Sequence, residues 1–258
     1  MIHRTAVIDK KAEIADDVEI GPYCVIGGEA KIGSGTRLVS HVCIAGRTEI
    51  GEHCTVDPFT CLGGDPQDTA FKGEDTACVI GDRNTIGEYV TINKASAKAD
   101  GVTRVGNGNF IMAYSHIGHD CVVGDEVQMA NAATLAGHVY VADFAILSGL
   151  VAVHQFCRIG RFAFVSGLTG VPQDIPPFVM AAHTAGSRAT LHGLNIVGLK
   201  RHGFSADDIA TLKKAYRFIF RLGLSLEAAV QKIEEELEGE YVQEFVAFIR
   251  SSERGICR

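Results

Sequence analysis

Tryptophan is missing from this 258-residue chain, aromatic side chains make up only 7% of it, and prolines number six. A core with so few large rings has to be built from aliphatic side chains. No stretch approaches the ~20 consecutive apolar residues of a membrane-spanning helix, so a helical membrane span is excluded. The opening residues, MIHRTAVIDKKAEIADD, have no apolar signal-peptide stretch, which predicts a cytoplasmic protein. Basic residues are outnumbered: 24 Lys and Arg face 31 Asp and Glu, for a net charge of −7. Broad nucleic-acid binding does not fit that balance. Cysteine occurs at positions 24, 43, 54, 61, 78, 121, 157 and 257, but never as a C-x-x-C pair. A zinc ribbon and a disulfide frame are both disfavoured, and buried thiols in a reducing compartment are expected.

What the chain has in excess is glycine, 29 residues of it, and a strict period. Counting in sixes from Ile8 lands on Ile14, Ile20, Ile26, Ile32, Leu38, Ile44, Ile50, Val56 and Leu62. The phase returns at Ile80, Ile86 and Ile92. It then runs from Val105 through Ile111, Ile117, Val123, Met129, Leu135, Val141, Leu147, Val153, Ile159 and Val165 to Val171. The following residue is often very small, as at Gly21, Gly27, Gly33 and Gly51. Six residues of α-helix turn through ~600°, so no helix keeps every sixth residue on one face. A strand would keep them there, but no single strand runs for sixty residues. A coil with three flat sides of six residues meets both limits. Its stacked turns bond through their backbones and bury an aliphatic column, which makes the chain a parallel β-helix. The left hand of that helix is implied by resemblance to hexapeptide-repeat proteins, not by the spacing.

Two polar stretches interrupt the period, residues 64–79 and 93–104, and are expected to project as loops. The coil is therefore assigned to residues 1–178, ending at Pro176 and Pro177, with a connecting segment over 179–200. Residues 201–258 form a small α-helical domain. There Ser205 and Asp208 make a capping pair ahead of Ile209, Leu212, Tyr216, Ile219 and Phe220 at helical spacing. Gly223 stops that helix, Ser225 opens the next, and a last one carries Val242, Phe245, Val246 and Ile249. This domain is expected to cover the exposed end of the coil.

Three hexapeptides make one turn, so residues eighteen apart stack in columns about 4.8 Å from coil to coil. His119, Gly137, Gln155 and Gln173 form one column; Asp120, His138 and Phe156 form its neighbour. His116 and His154 lie close by. A lone histidine on a turn is ordinarily a solvated surface residue, whereas a stack of them points to chemistry. One chemistry is general base catalysis, with His119 taking a hydroxyl proton and Asp120 fixing its tautomer. Gly137 would then offer an unobstructed backbone N–H as an oxyanion donor for acyl transfer. The other is a zinc site of three histidines that activates water. Spacing alone fits both.

The repeats, H-I-G-H-D, T-L-A-G-H, A-V-H-Q-F-C, Q-D-I-P-P and G-L-N-I-V-G-L-K-R-H-G-F-S together resemble the UDP-N-acetylglucosamine O-acyltransferases of lipid A synthesis, over essentially the whole chain. The resemblance implies a cytoplasmic homotrimer that moves an (R)-3-hydroxyacyl chain from acyl carrier protein to the sugar 3-position, with no metal or other cofactor. It implies His119 as the base, Asp120 as its orienting carboxylate and Gly137 as the oxyanion donor. Substrate contacts fall on Asp68, His116, His138, His154, Gln155, Asn195 and Arg201. Phe164, Ser166 and Gly167 line the acyl-chain groove.

Three positions depart from the family: Ala70 stands where a lysine is usual, Val197 replaces a glutamate, and His202 replaces an arginine. The stretch AAHTAGSRAT is also a few residues longer than the usual pattern. Some relatives acylate a 3-amino sugar instead. Other functions weighed against this one are the N-acyltransferase of the same pathway, a zinc-dependent hexapeptide carbonic anhydrase and a non-catalytic scaffold. The N-acyltransferases usually carry an additional amino-terminal domain, and here the repeat already begins at Ile8. Arg188, Lys200, Arg201, Lys213, Lys214, Arg217 and Arg221 form a basic run on an otherwise acidic chain. Such a run suits an acidic carrier protein or a diphosphate.

Overall fold

Each hexapeptide forms a two-residue strand followed by a four-residue turn. Tyr140–Val141 and Ile146–Leu147 are typical. The computed structural model describes residues 1–183 and 188–258; the middle of the long AAHTAGSRAT stretch lies outside the described residues. Every third strand joins the same sheet, giving three sheets of nine, eight and ten strands. Pairing is parallel and in register, as in Val122 with Tyr140 and Tyr140 with Arg158. The coil is thus a three-sided left-handed parallel β-helix, eighteen residues to a turn.

The sixfold series fills its interior. Ile111, Ile117, Leu135, Val141 and Leu147 have no exposed surface, and Met129 has none either. Burying one such side chain contributes roughly 1.5–3 kcal/mol. A second interior column was not legible as a period because its members vary. Four residues after each aliphatic comes a small buried side chain: Cys121, Val127, Ala133, Val139, Ala145, Val151, Cys157 and Ala163. Thr36, Thr60, Ser115 and Thr169 occupy equivalent places. This column accounts for several of the cysteines. All eight are free thiols, and burial pushes Cys78 and Cys121 up to about 12.

Loop insertion leaves the register intact apart from one irregularity between Leu62 and Gly64. Cys61 pairs with Thr91 and Thr91 with His116, so extra residues leave and re-enter at neighbouring strand ends. The loops are shorter than expected. Strands Cys61–Gly64, Ala77–Ile80, Thr91–Asn93 and Val102–Val105 confine them to 65–76 and 94–101. The segment 179–200 is more than a connector. Val179–His183 adds to one sheet beside Phe164–Val165, and Ala189–Leu194 returns antiparallel to it. Val179 and Ala181 are fully buried while Met180 and Ala182 are not, an alternation that keeps the segment in a sheet.

Helix α1 (Ile196–Arg201) follows at once, then α2 (Ala206–Phe220), α3 (Leu226–Glu236) and α4 (Glu240–Arg250). Ser205 and Asp208 form the expected reciprocal cap of α2, and Ser225 caps α3. The Arg161 guanidinium grips Glu244 of α4 through two nitrogens, and the Tyr216 hydroxyl donates to the Leu191 carbonyl at 3.2 Å. The C-terminal residues close over the last turn, where the Cys257 N–H donates to the Asp174 carbonyl at 2.9 Å.

The coil has three edges. At each, the third turn residue sits at positive φ, as in Tyr114 (64°), Asp120 (60°), His138 (60°) and Phe162 (56°). This conformation is costly for side chains other than glycine. Here it is offset by hydrogen bonds to the neighbouring coil: the His138 N–H donates to His119 O at 2.9 Å. The first edge carries Tyr114, Leu150 and Leu168, all more than half exposed. The second carries His119, Asp120 and His138. The third carries Phe144, Phe162 and Phe178, and packs against Phe204 and Tyr241 of the helical domain.

Candidate active site

Strand His116–Ile117 ends in the turn that delivers His119 and Asp120 to the second edge. Asp120 shares the positive φ of the other edge residues, but Ser96 of the second loop and the imidazole cover its side chain, which is fully buried. A buried carboxylate needs partners. The His119 Nδ1–H donates to Asp120 Oδ2 at 2.7 Å, and the Ser96 hydroxyl donates to the same oxygen, also at 2.7 Å. The Ser96 N–H adds contacts of 3.2 Å to both carboxylate oxygens. Asp120's own N–H is held by Thr103 Oγ1 at 2.8 Å. With Nδ1 committed as a donor, Nε2 of His119 carries the basic lone pair.

One coil further on, Gly137 lies directly against that ring. A Cβ there would stand 2.6 Å from Cε1 and 2.7 Å from Nε2 of His119, so any other residue displaces that ring. Among the described residues the Gly137 N–H has no hydrogen-bond acceptor. An unengaged N–H beside a basic nitrogen is the arrangement an oxyanion donor requires. His138 meets His119 edge-on, with ring centres 5.2 Å apart, and stacks on Phe156 at 4.6 Å. Burial holds the His138 pKa below its ordinary value against the pull of Asp120, whose Oδ2 is 3.5 Å from Nε2. Burial also lowers His116, whose Nδ1 meets Thr91 Oγ1 at 2.7 Å. Both therefore stand neutral near pH 7, able to accept or donate without adding charge.

The remaining expected residues divide among the edges. His154 and Gln155 lie on the second edge, and His154 borders a groove of about 390 Å³ with Ala152, Gly170, Pro172 and Arg188. Asp68, in the first loop, accepts the Ala70 N–H at 2.9 Å and a bond from Lys98 at 2.5 Å. The Lys98 ammonium beside it holds the Asp68 carboxyl below its usual range. Lys72, the lysine nearest to Ala70 in sequence, turns its N–H to Glu74 instead. Asn195 caps α1 through Gly198 and donates to the Phe162 carbonyl at 3.0 Å, which ties it to the third edge. His202 packs there too, on Phe144 and Phe162. Gly167 belongs to the first edge, 3.1 Å (from a notional Cβ) below Gly149 O, with Phe164 and Ser166 leading into it. Within one chain the acyl-groove residues and Asn195 are thus each a full face away from His119.

Three residues escaped sequence reasoning: Ser96, Thr103 and Lys98. Ser96 and Lys98 lie in a loop with no column to betray them, and Thr103, in strand Val102–Val105, belongs to the second interior column.

A metal was the other reading of the cluster. His119, Asp120 and His138 offer donor atoms all within 4.8 Å of one another. The fit is poor, however. His119 Nδ1 and Asp120 Oδ2 are at hydrogen-bond distance, closer than the roughly 3.3 Å that separates two ligands on a tetrahedral zinc. The carboxylate is, besides, already engaged by Ser96.

Comparison with known proteins decides among the alternatives. An acyl-[acyl-carrier-protein]–UDP-N-acetylglucosamine O-acyltransferase of Thermodesulfovibrio yellowstonii is 56% identical, across 100% of this chain and 99% of its own length. The chain belongs to the UDP-N-acetylglucosamine O-acyltransferase family. The same-named protein of Janthinobacterium sp. (strain Marseille) is 47% identical over equal shares of both chains. The family model for UDP-N-acetylglucosamine O-acyltransferase domain 2 matches residues 174–257, and the bacterial transferase hexapeptide model matches 11–46 and 103–137. The crystal structure of the Francisella novicida UDP-N-acetylglucosamine acyltransferase superposes with a TM-score of 0.96 at 42% identity, covering 100% of this chain and 94% of that one. The Bacteroides fragilis enzyme gives 0.97 at 38% identity over the whole of both. For this O-acyltransferase family member, no helix among the described residues is long and apolar enough to cross a membrane.

Proposed function

We propose that this chain transfers an (R)-3-hydroxyacyl group from acyl carrier protein to the 3-hydroxyl of UDP-N-acetylglucosamine, the first step of lipid A biosynthesis. The observation that carries the reading is a glycine, Gly137, with an unengaged N–H, packed against an imidazole whose Nδ1 is held by a buried carboxylate. His119 Nε2 takes the proton of the sugar hydroxyl as its oxygen attacks the thioester carbonyl. The carbonyl oxygen, now anionic, receives the Gly137 N–H. Collapse breaks the carbon–sulfur bond, and the His119 imidazolium returns the proton to the departing carrier thiolate. Asp120 stabilises that imidazolium without leaving its place. His138 and Asp68 border the sugar, with His116, His154 and Gln155 on the same side. The exposed basic run from Arg188 to Arg221 suits the acidic carrier protein and the diphosphate. Asn195 and Arg201 hold the nucleotide or pantetheine portion.

We infer further that the working unit is a homotrimer. A lone coil leaves apolar Tyr114, Leu150 and Leu168 exposed on its first edge. Placing three coils about a threefold axis sets that edge of one chain beside the second edge of the next. Gly167 then faces a neighbour's His119 across a shared cleft, and the separation of expected residues among edges ceases to be a difficulty. Eight free thiols, most of them buried, support a cytoplasmic location.

The test is incubation with UDP-N-acetylglucosamine and carrier proteins loaded with 3-hydroxyacyl chains of different length. The expected products are the 3-O-acylated sugar nucleotide and free carrier thiol; absence of transfer from every donor overturns the assignment. The same competition reads the groove. Each added methylene is worth roughly 0.8 kcal/mol when buried, so a groove end discriminates several-fold per carbon. Gly167→Met is expected to shorten the favoured donor by several carbons while leaving the apparent sugar affinity nearly unchanged. An unaltered donor preference would place the end of the groove elsewhere.

A further inference from the structure

The two projecting loops meet beside the histidines, and one short segment of the second loop touches both carboxylates of the site. The Ser96 hydroxyl donates to Asp120 Oδ2 at 2.7 Å, and Ser96 is almost completely buried. Two residues on, Lys98 Nζ reaches Asp68 Oδ2 at 2.5 Å. The two anchors are themselves linked, because the Lys98 N–H donates to Ser96 Oγ at 3.2 Å. Asp68 has its other oxygen on the Ala70 N–H at 2.9 Å, so both its oxygens are fixed from opposite sides. At the loop roots a second tie repeats the pattern: Lys94 pairs with Asp65 at 2.9 Å and Asn93 Nδ2 donates to the Asp65 carbonyl at 2.8 Å.

We propose that Lys98 is a positioning residue for acceptor binding: it locks the Asp68 carboxylate in the orientation that receives the sugar, and couples that orientation through Ser96 to the His119–Asp120 pair. This deepens the acyl-transfer reading and rests on Asp68 touching the sugar. A surface ion pair would ordinarily be worth little, because two long side chains lose freedom and water screens the charges. In this pair the Lys98 side chain is 57% exposed but the Asp68 side chain only 13%, and the lysine backbone is itself held by Ser96, which lowers the freedom lost on pairing. A carboxylate fixed on both oxygens presents its remaining lone pairs in one direction, which is the condition for a well-placed sugar hydroxyl contact. Lys98 also sets the local charge. The titratable groups around His119 are Asp120 and His116 from its own turn, His138 from the next coil, and Asp68 and Lys98 from the two loops. The ammonium is one of the charges that, after burial, hold the His138 pKa below its ordinary value.

The experiment compares Lys98→Met, Lys98→Arg, Asp68→Ala and the double variant Lys98→Met/Ala70→Lys. UDP-N-acetylglucosamine binding is read by calorimetry and kcat and KM by transfer from a 3-hydroxyacyl carrier protein. Lys98→Met is expected to weaken sugar-nucleotide binding and raise its KM by about tenfold while changing kcat by less than about threefold. Lys98→Arg should stay near wild type. A lysine at position 70, whose N–H already contacts Asp68, should restore most of the lost affinity. Unchanged binding and KM in Lys98→Met overturn the proposal. If Asp68→Ala is damaging in that case, only the role of Lys98 falls; if Asp68→Ala is silent too, the sugar contact itself is withdrawn. A loss in Lys98→Met that neither rescue repairs would mark a purely structural role and also overturn the proposal.

Discussion

Replacing His119 with alanine should lower acyl transfer by ~10²–10⁴-fold, the contribution typical of a general base. Nothing else at the edge can stand in for it. His138, the nearest imidazole, presents Nε2 toward Asp120 rather than toward the Gly137 N–H, and burial lowers its basicity. Stability should hardly change, because the imidazole lies outside the aliphatic column and its loss leaves Asp120 with the Ser96 hydroxyl and N–H. The expected result is an unaltered thermal transition with the loss concentrated in kcat, since the proton transfer is made only in the transition state. Turnover near that of the wild type would remove His119 from the reaction.

Gly137→Ala should be almost as damaging, for a purely geometric reason. The backbone at this position is acceptable to alanine, as its φ is not in the left-handed region. The new methyl, however, would lie 2.6 Å from His119 Cε1, nearer than real Cβ contacts occur. The coils cannot part to make room, because His138 N–H to His119 O and Phe156 N–H to Gly137 O pin them together. The imidazole therefore moves and its 2.7 Å bond to Asp120 is lost or stretched. A misplacement on the order of 1 Å costs about 10²-fold in rate. We expect a fall in kcat of that size or more, with the melting temperature within a few degrees of wild type. A variant turning over within a few-fold of wild type would show that the ring has slack the geometry denies.

Most of the coil was legible because a period of six admits one physical solution, and Ile8 through Val171 report it almost without a gap. The His119–Gly137 and Asp120–His138 columns came from the same arithmetic, and the pairing of His116 with Thr134 and of Tyr140 with Arg158 shows why: around the site the coils stay eighteen residues apart. What could not be read lies where the period is silent. Ser96 and Lys98 sit in a loop, and their reach to Asp120 and Asp68 depends on how two insertions fold against each other. The antiparallel pairing of Val179–His183 with Ala189–Leu194 hid behind Pro176 and Pro177, because a proline pair ends a repeat without specifying the structure of the residues beyond it. The separation of Gly167 from His119 was implicit in the phase, since 119 and 167 differ by a number that is not a multiple of eighteen, whereas Asn195 lies beyond the last repeat. The proposal that one chain holds only part of the site came only when the edges were traced.

A site divided between chains can be tested by complementation. Two chains, His119→Ala and Gly167→Trp, each inactive toward the donor length the wild type favours, can be co-expressed with different tags and the mixed assemblies purified on both and assayed with that donor. If the site is built from the second edge of one chain and the first edge of its neighbour, each mixed trimer contains one cleft with both walls intact, about a third of the wild-type activity. Homomeric preparations of either variant should stay inactive. Mixed assemblies no more active than the homomers, or a wild-type monomer that sediments alone and still transfers acyl groups, would contradict a site shared between chains.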